Sequence, residues 1–317
     1  MQRGNLFVLL LKIRRRMRKL PLYICLFTFL TVSCAKKDSK TDSDRTLVQT
    51  INKSNAVKIA VMPTIDALPL LIAYERGWME KYSLNVIFRR FSAHMDIDTA
   101  LIGGSVDGAF TDIFRTEYIS KKKKLSFYYL TSTELTWSLV SNKAARLNRL
   151  DQFGDKMVAS TRFSATDYLT DKKFEGVNVR DPFFKVQIND VRVRYNMLIN
   201  NEMDSEWLPE PWATKAQMEG HKILVKPKKN DMKFGVLAFR KQFAMDSDNK
   251  SFLSALSKVY SEACDSINKY GIKNYAAEMQ KYCDADTAVI NRLPRIMFTH
   301  TERPDDTIIK TVDSYIR

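Results

Sequence analysis

Side chains able to transform a substrate are few and scattered in this chain. It has three histidines, His94, His221 and His300, and four cysteines, Cys25, Cys34, Cys264 and Cys283. No CxxC pair or Cys/His cluster offers a metal site, and P-loop, HExxH and GxSxG patterns are all missing. The chain has polar side chains where apolar runs end. Thr64 and Asp66 follow Val57–Val61, Thr111 and Asp112 follow Val106–Phe110, and Ser132 and Thr133 follow the aromatic run Leu125–Leu130. Ser160, Thr161 and Ser164 close a further run, and Glu210 and Trp212 sit in a Pro-rich turn after Glu206–Leu208. Hydroxyls and carboxylates placed this way recognise a small polar molecule without changing it.

Each of these residues has two readings. Ser164 with Asp167 three residues on resembles a capping box, which makes Ser164 an N-cap. The free N–H groups of such a helix start favour a carboxylate, sulfonate or phosphate. On the other reading Ser160, Thr161 and Ser164 only satisfy their own turn. Asp66, Asp112 and Glu210 can accept hydrogen bonds from an amine, an aminopyrimidine or a guanidinium. The first two serve equally well as N-caps, and Glu210 as part of a surface turn. Trp137, Phe163 and Trp212 can stack on a ring or simply pack. An anion-friendly helix end facing carboxylates suits a zwitterionic or amino-heterocyclic solute better than nitrate.

These residues need a frame that brings strand ends together. Leu68–Arg76 reads as a helix stopped by Gly77, Leu84–Phe88 as a strand, Ile97–Ile102 as part of a helix, and Arg115–Ser120 as another. A second series runs from Lys156–Ser160 through helices at Ala165–Lys172 and Val191–Ile199, and the tail from Lys250 to Tyr315 reads as helical. This βα alternation predicts an α/β fold of two lobes, each a mostly parallel sheet flanked by helices. Leu135–Ser141 and Phe234–Arg240 read as the two crossings between them, acting as a hinge. Lobe 1 is then 55–136 with 238–317, and lobe 2 is 137–237. Ligands of open α/β sheets bind beyond the carboxyl ends of the strands, where the residues named above fall.

The N-terminus carries a different message. Arg18-Lys19, the apolar run Leu20–Val32 and Ser33-Cys34 have the layout of a signal peptide, and the run is short of the roughly 20 residues of a bilayer span. Ser33-Cys34 resembles the end of a bacterial lipoprotein signal, although Thr31 stands where that pattern usually has Leu. The resemblance implies residues 1–33 as signal, Cys34 as the lipidated mature terminus, and 34–54 as a polar tether. An ordinary cleaved signal and an uncleaved anchor are the alternatives, and Met17 is the better start than Met1. The formal charge of +15 includes seven basic residues before Cys34, which leaves +8 without them. The remaining basic residues are dispersed except Lys121–Lys124, read as a solvated loop, and no nucleic-acid motif is present. Cys264 and Cys283 lie on successive predicted helices, so a disulfide and two separate buried thiols both fit.

Four ordered blocks resemble the type II periplasmic binding proteins of the nitrate, sulfonate and thiamine-pyrimidine precursor group. They are Asp66–Leu70 with Glu75–Lys81, Val106–Asp112, Lys156–Ser160 leading into Ser164–Leu169, and Leu208–Ala213. The resemblance implies a monomeric protein of the cell envelope that captures a small solute between two lobes and passes it to an ABC permease and its ATPase. It implies no cofactor or metal and no chemistry on the solute. Pyrimidine-precursor synthases of the same fold group use an internal histidine and a cysteine-rich motif; here the cysteines are not clustered, and His94, in a polar loop before a helix, could reach the crevice but reads better as a surface residue. A sensing module that docks on a receptor is the third class.

Overall fold

The computed structural model describes residues 55–228 and 231–316. The signal, Cys34 and tether expectations lie outside them. The first lobe opens with β1 (Val57–Val61), α1 (Leu68–Glu75), α2 (Trp78–Lys81), β2 (Val86–Arg90), α3 (His94–Ile102), β3 (Gly108–Asp112), α4 (Ile113–Lys123) and β4 (Phe127–Ser132). The chain then builds β5 (Trp137–Ser141), β6 (Met157–Ser160), α5 (Ala165–Phe174), β7 (Phe184–Gln187), α6 (Val191–Ile199), β8 (Ser205–Pro209), α7 (Trp212–Met218) and β9 (Lys222–Val225). It returns through β10 (Gly235–Arg240) and finishes with α8 (Lys241–Met245), α9 (Ser247–Tyr270), α10 (Ala276–Cys283), α11 (Thr287–Arg292) and α12 (Asp306–Tyr315).

Two five-stranded sheets result, ordered β2-β1-β3-β10-β4 and β7-β6-β8-β5-β9. In the first, β1 runs parallel to β2 and β3 while β10 is antiparallel to both its neighbours; in the second, β6 is parallel to β7 and β8 while β5 is antiparallel to both of its own. The antiparallel strand in each sheet is the one that has just arrived from the other. The segments expected to be crossings are therefore mostly strands of the lobe they enter, and the crossings themselves are the short stretches before Trp137 and before Gly235. The return boundary expected at 238 falls inside β10, which pairs with the first sheet from Gly235 onward. The crossings touch at Gly235: its carbonyl accepts from Thr133 N–H at 2.8 Å, and a Cβ there would collide with Leu135 and Thr133.

Helix α1 is apolar all round and buries Leu68, Leu70, Leu71 and Ile72, as a helix sandwiched between a sheet and another helix must. The covering helix α9 is amphipathic, turning Leu253, Leu256, Val259, Ala263 and Ile267 inward. Gly77, at φ +73°, reverses the chain after α1. Lys121–Lys123 form the last turn of α4 instead of a loop, where cations oppose the negative helix end. The tail is not helical throughout: residues 293–305 form neither helix nor strand, and Glu302 O accepts from Ser132 N–H at 2.6 Å in β4. Cys264 and Cys283 are free and buried, the separate-thiol reading; Cys283 Sγ lies 3.4 Å from Thr64 O. Among the described residues no helix is long and apolar enough to cross a membrane.

Candidate functional site

The seam between the lobes is closed by direct bonds. Trp212 Nε1 donates to Pro63 O at 2.8 Å, Val191 N–H to Ser92 O at 3.0 Å, and Arg115 to Arg162 O at 2.7 Å. Ser92 also bonds Asp190, Arg192 pairs with Asp284 at 2.6 Å, and Tyr118 stacks on Phe163 with ring centroids 4.4 Å apart. At the centre of the seam, at the carboxyl ends of β1, β3 and β8, is a small cavity of about 10 Å³. That is the scale of one water molecule. Thr64, Asp66 and His94 line it from the first lobe, and Trp137, Arg194 and Pro209 from the second.

Its polar lining is not satisfied internally. Of its lining, His94 Nδ1 and the Nε and one terminal nitrogen of Arg194 are buried without a hydrogen-bond partner among the described residues; outside the lining, the hydroxyls of Thr111 and Thr133 and one oxygen of Asp112 are likewise unpartnered. Buried polar atoms are nearly always paired, so such a cluster marks a place built for something else to bind. Burial drives the electrostatics. It raises Asp66 to about 6 against the hydrogen bond from Thr64, and Asp112 to about 7 against the N–H of Arg115. It lowers His94 to about 3, helped by Arg194 and Arg115, so the ring is neutral at ordinary pH. Arg194 is also lowered by burial, and Glu206, behind it, is raised well above its usual range for the same reason.

The residues expected from sequence divide into groups. Thr64 and Asp66 face the cavity, with the Thr64 hydroxyl bonded to Asp66. Asp112 caps α4 by accepting from Arg115 N–H at 3.0 Å, and its other oxygen is unpartnered. Thr111 and Thr133 are buried, whereas Ser132 is half-buried and engaged by the tail. Ser164 is the N-cap of α5, accepting from Thr166 N–H and donating to Thr161 O at 2.6 Å; Thr161 N–H in turn donates to the Thr166 hydroxyl. Asp167 reaches past the cap to accept from Phe163 N–H at 2.9 Å, and the Ser160 carbonyl accepts from Ile188 N–H. The Ser164 and Thr166 hydroxyls bond within this turn, and the Thr161 hydroxyl lies 3.5 Å from Ile188 O. Glu210 accepts from Thr214 N–H and faces a different cleft, and Trp212 holds the lobes together. His94 is no surface histidine: it opens α3 and is buried.

Arg194 is the residue sequence reasoning passed over. It shares one face of α6 with buried Val191, Tyr195 and Leu198, the three- and four-residue spacing of a core stripe. A charge on that stripe was the available signal. Glu206, inside the wholly buried β8, carried the same signal.

A family model described as the NMT1-like family matches residues 51–119. No curated protein matches the sequence. Solved structures do match in fold. The periplasmic aliphatic sulphonate-binding protein of Escherichia coli is 14% identical, covering 82% of this chain and 91% of that one, with a TM-score of 0.65. The periplasmic nitrate-binding protein of Synechocystis is 16% identical, covering 78% and 74%, with a TM-score of 0.64. A Candida albicans protein described as having the generic periplasmic binding protein fold is 14% identical, covering 82% and 89%, with a TM-score of 0.62. The chain has the periplasmic binding protein fold.

Proposed function

We propose that the chain is an extracytoplasmic solute-binding protein, anchored to a bacterial membrane through a lipid on Cys34, that delivers a small solute to an ABC permease and its ATPase. The observation that carries this reading is that each lobe brings a buried, unpartnered polar group to one cavity, His94 from the first and Arg194 from the second. Arg194 is the group for an anionic end of the solute, since a guanidinium reads carboxylate, sulfonate or nitrate through parallel N–H donors. Asp66 and the neutral His94 receive the donors of the same solute from the first lobe, which keeps zwitterionic and amino-heterocyclic compounds ahead of bare nitrate. Opening the lobes about the crossings, at 133–136 and at 231–234, admits the solute, and closure buries it. No step in this cycle changes the solute covalently.

The test is a thermal-shift screen of the full-length chain in mild nonionic detergent against sulfonates, nitrate, amino acids, and thiamine with its pyrimidine precursors. A solute at 100 times its dissociation constant adds about 2.7 kcal/mol of stability. One solute raising the midpoint supports the reading; a folded protein that responds to none of them contradicts it.

A further inference from the structure

A second cleft, of about 760 Å³, opens on the other side of the crossing strand from the small cavity. The period of two along a strand separates them. Leu135 and Trp137 face the cavity, whereas Glu134, Thr136 and Ser138 face the cleft; likewise Pro209 faces one and Glu210 the other. The cleft is walled by residues 226–228, 231 and 233 of the return crossing, by α7, and by the irregular tail that follows α11.

Its charge is unbalanced. Lys226 and Lys228 stand on the return crossing, and Arg292, the last residue of α11, and Arg295 stand where the tail begins. None of the four is in an ion pair among the described residues. Glu134 holds Lys233 at 2.6 Å, while Asp231 accepts from Lys228 N–H at 2.8 Å and Glu210, which feels the charge of Lys226, accepts from Thr214 N–H, so the lining's five cations still outnumber its three carboxylates. Between the cationic walls are Ile65, Ile223, Ile296 and Pro294, an apolar lining. A volume within the roughly 300–1,000 Å³ of small-molecule sites, apolar surface, and cations on two walls specify one kind of ligand.

We propose that this cleft binds an organic anion with an apolar body and at least two acidic groups, one met by the lysines of the crossing and one by the arginines of the tail. The inference does not depend on what the small cavity binds. Because the walls include a crossing between the lobes, the bound anion is placed to favour one lobe arrangement over another.

The experiment is a calorimetric titration of naphthalene-1,5-disulfonate into the full-length chain in mild nonionic detergent at low salt. The proposal expects one site. Arg292→Ala/Arg295→Ala weakens it about tenfold or more, Lys226→Ala/Lys228→Ala does the same, added salt weakens it, and Arg194→Met leaves it unchanged. All four substituted residues of the cleft are exposed, and circular dichroism checks that the variants are folded. Absence of binding at millimolar probe, an affinity equal to the parent's in either double variant, or loss of binding on Arg194→Met overturns it.

Discussion

Behind the first sheet, α1 buries Leu68, Leu70, Leu71 and Ile72 against α9, whereas between the two sheets the same depth of burial is given to Arg194, Asp66, Asp112 and His94. The first region is apolar nearly throughout, its one unpartnered polar atom among the described residues being the Tyr260 hydroxyl, which lies beside Cys264. The second keeps charged and hydroxylated groups out of water with too few partners. Burial of apolar area stabilises a fold, and burial of unpaired polar atoms opposes it. The contrast separates what holds the molecule together from what the molecule holds. Substitutions should therefore part the two regions cleanly.

The largest effect is expected in the core. Leu71→Ala should cost about 2–5 kcal/mol in urea denaturation, because it leaves a cavity in a packed layer, while solute affinity in the surviving folded protein is unchanged. Arg194→Met should do the reverse. Combined with Glu206→Gln, which removes the buried counter-charge as well, it leaves no unpaired charge, so stability should stay within about 1 kcal/mol or rise, while affinity for the solute falls by about 2–5 kcal/mol of binding free energy. A strongly destabilised double variant would erase the distinction between the two regions. Trp212→Phe deletes the hydrogen bond to Pro63 O across the seam and should cost about 0.5–1.5 kcal/mol, with small-angle scattering showing a more open solute-free protein.

A further effect is a pH dependence. Asp112 rises from 3.8 to about 7 on folding, so the native state holds a proton that the unfolded chain releases. Its contribution is present below pH 3.8 and is lost as pH climbs towards 7. Asp112→Asn, which cannot ionise, should gain stability relative to the parent between pH 4 and pH 8, measured by denaturation at both values. His94 has the opposite sign: lowered to about 3, it removes stability as pH falls below 6.5.

Local pattern made most of the scaffold readable. The apolar run Val57–Val61 is β1 and the helix at Val191–Ile199 is α6, each with the bounds expected. The strand read at Val106–Phe110 instead starts at Gly108, because Val106 and Asp107 are used in the turn: Asp107 N–H donates to Lys58 O and its side chain accepts from Lys58 N–H. Strands β7 and β9 were invisible for a physical reason. Each has four residues on a sheet edge, and the exposed Phe184 and Lys222 interrupt any run of buried apolar positions. For the site, Thr64 and Asp66 could be found because they sit where a strand ends. The meeting of His94 with Arg194 depends on how one lobe docks on the other, and no spacing within either segment encodes it.

The most direct test of solute capture at the seam is a calorimetric titration of the solute identified in the thermal-shift screen into the parent chain and into Arg194→Met. The account predicts one solute per chain for the parent and an affinity at least about 100-fold weaker for the variant. Equal affinities would mean that the solute binds elsewhere, and the seam would lose its claim to be the site.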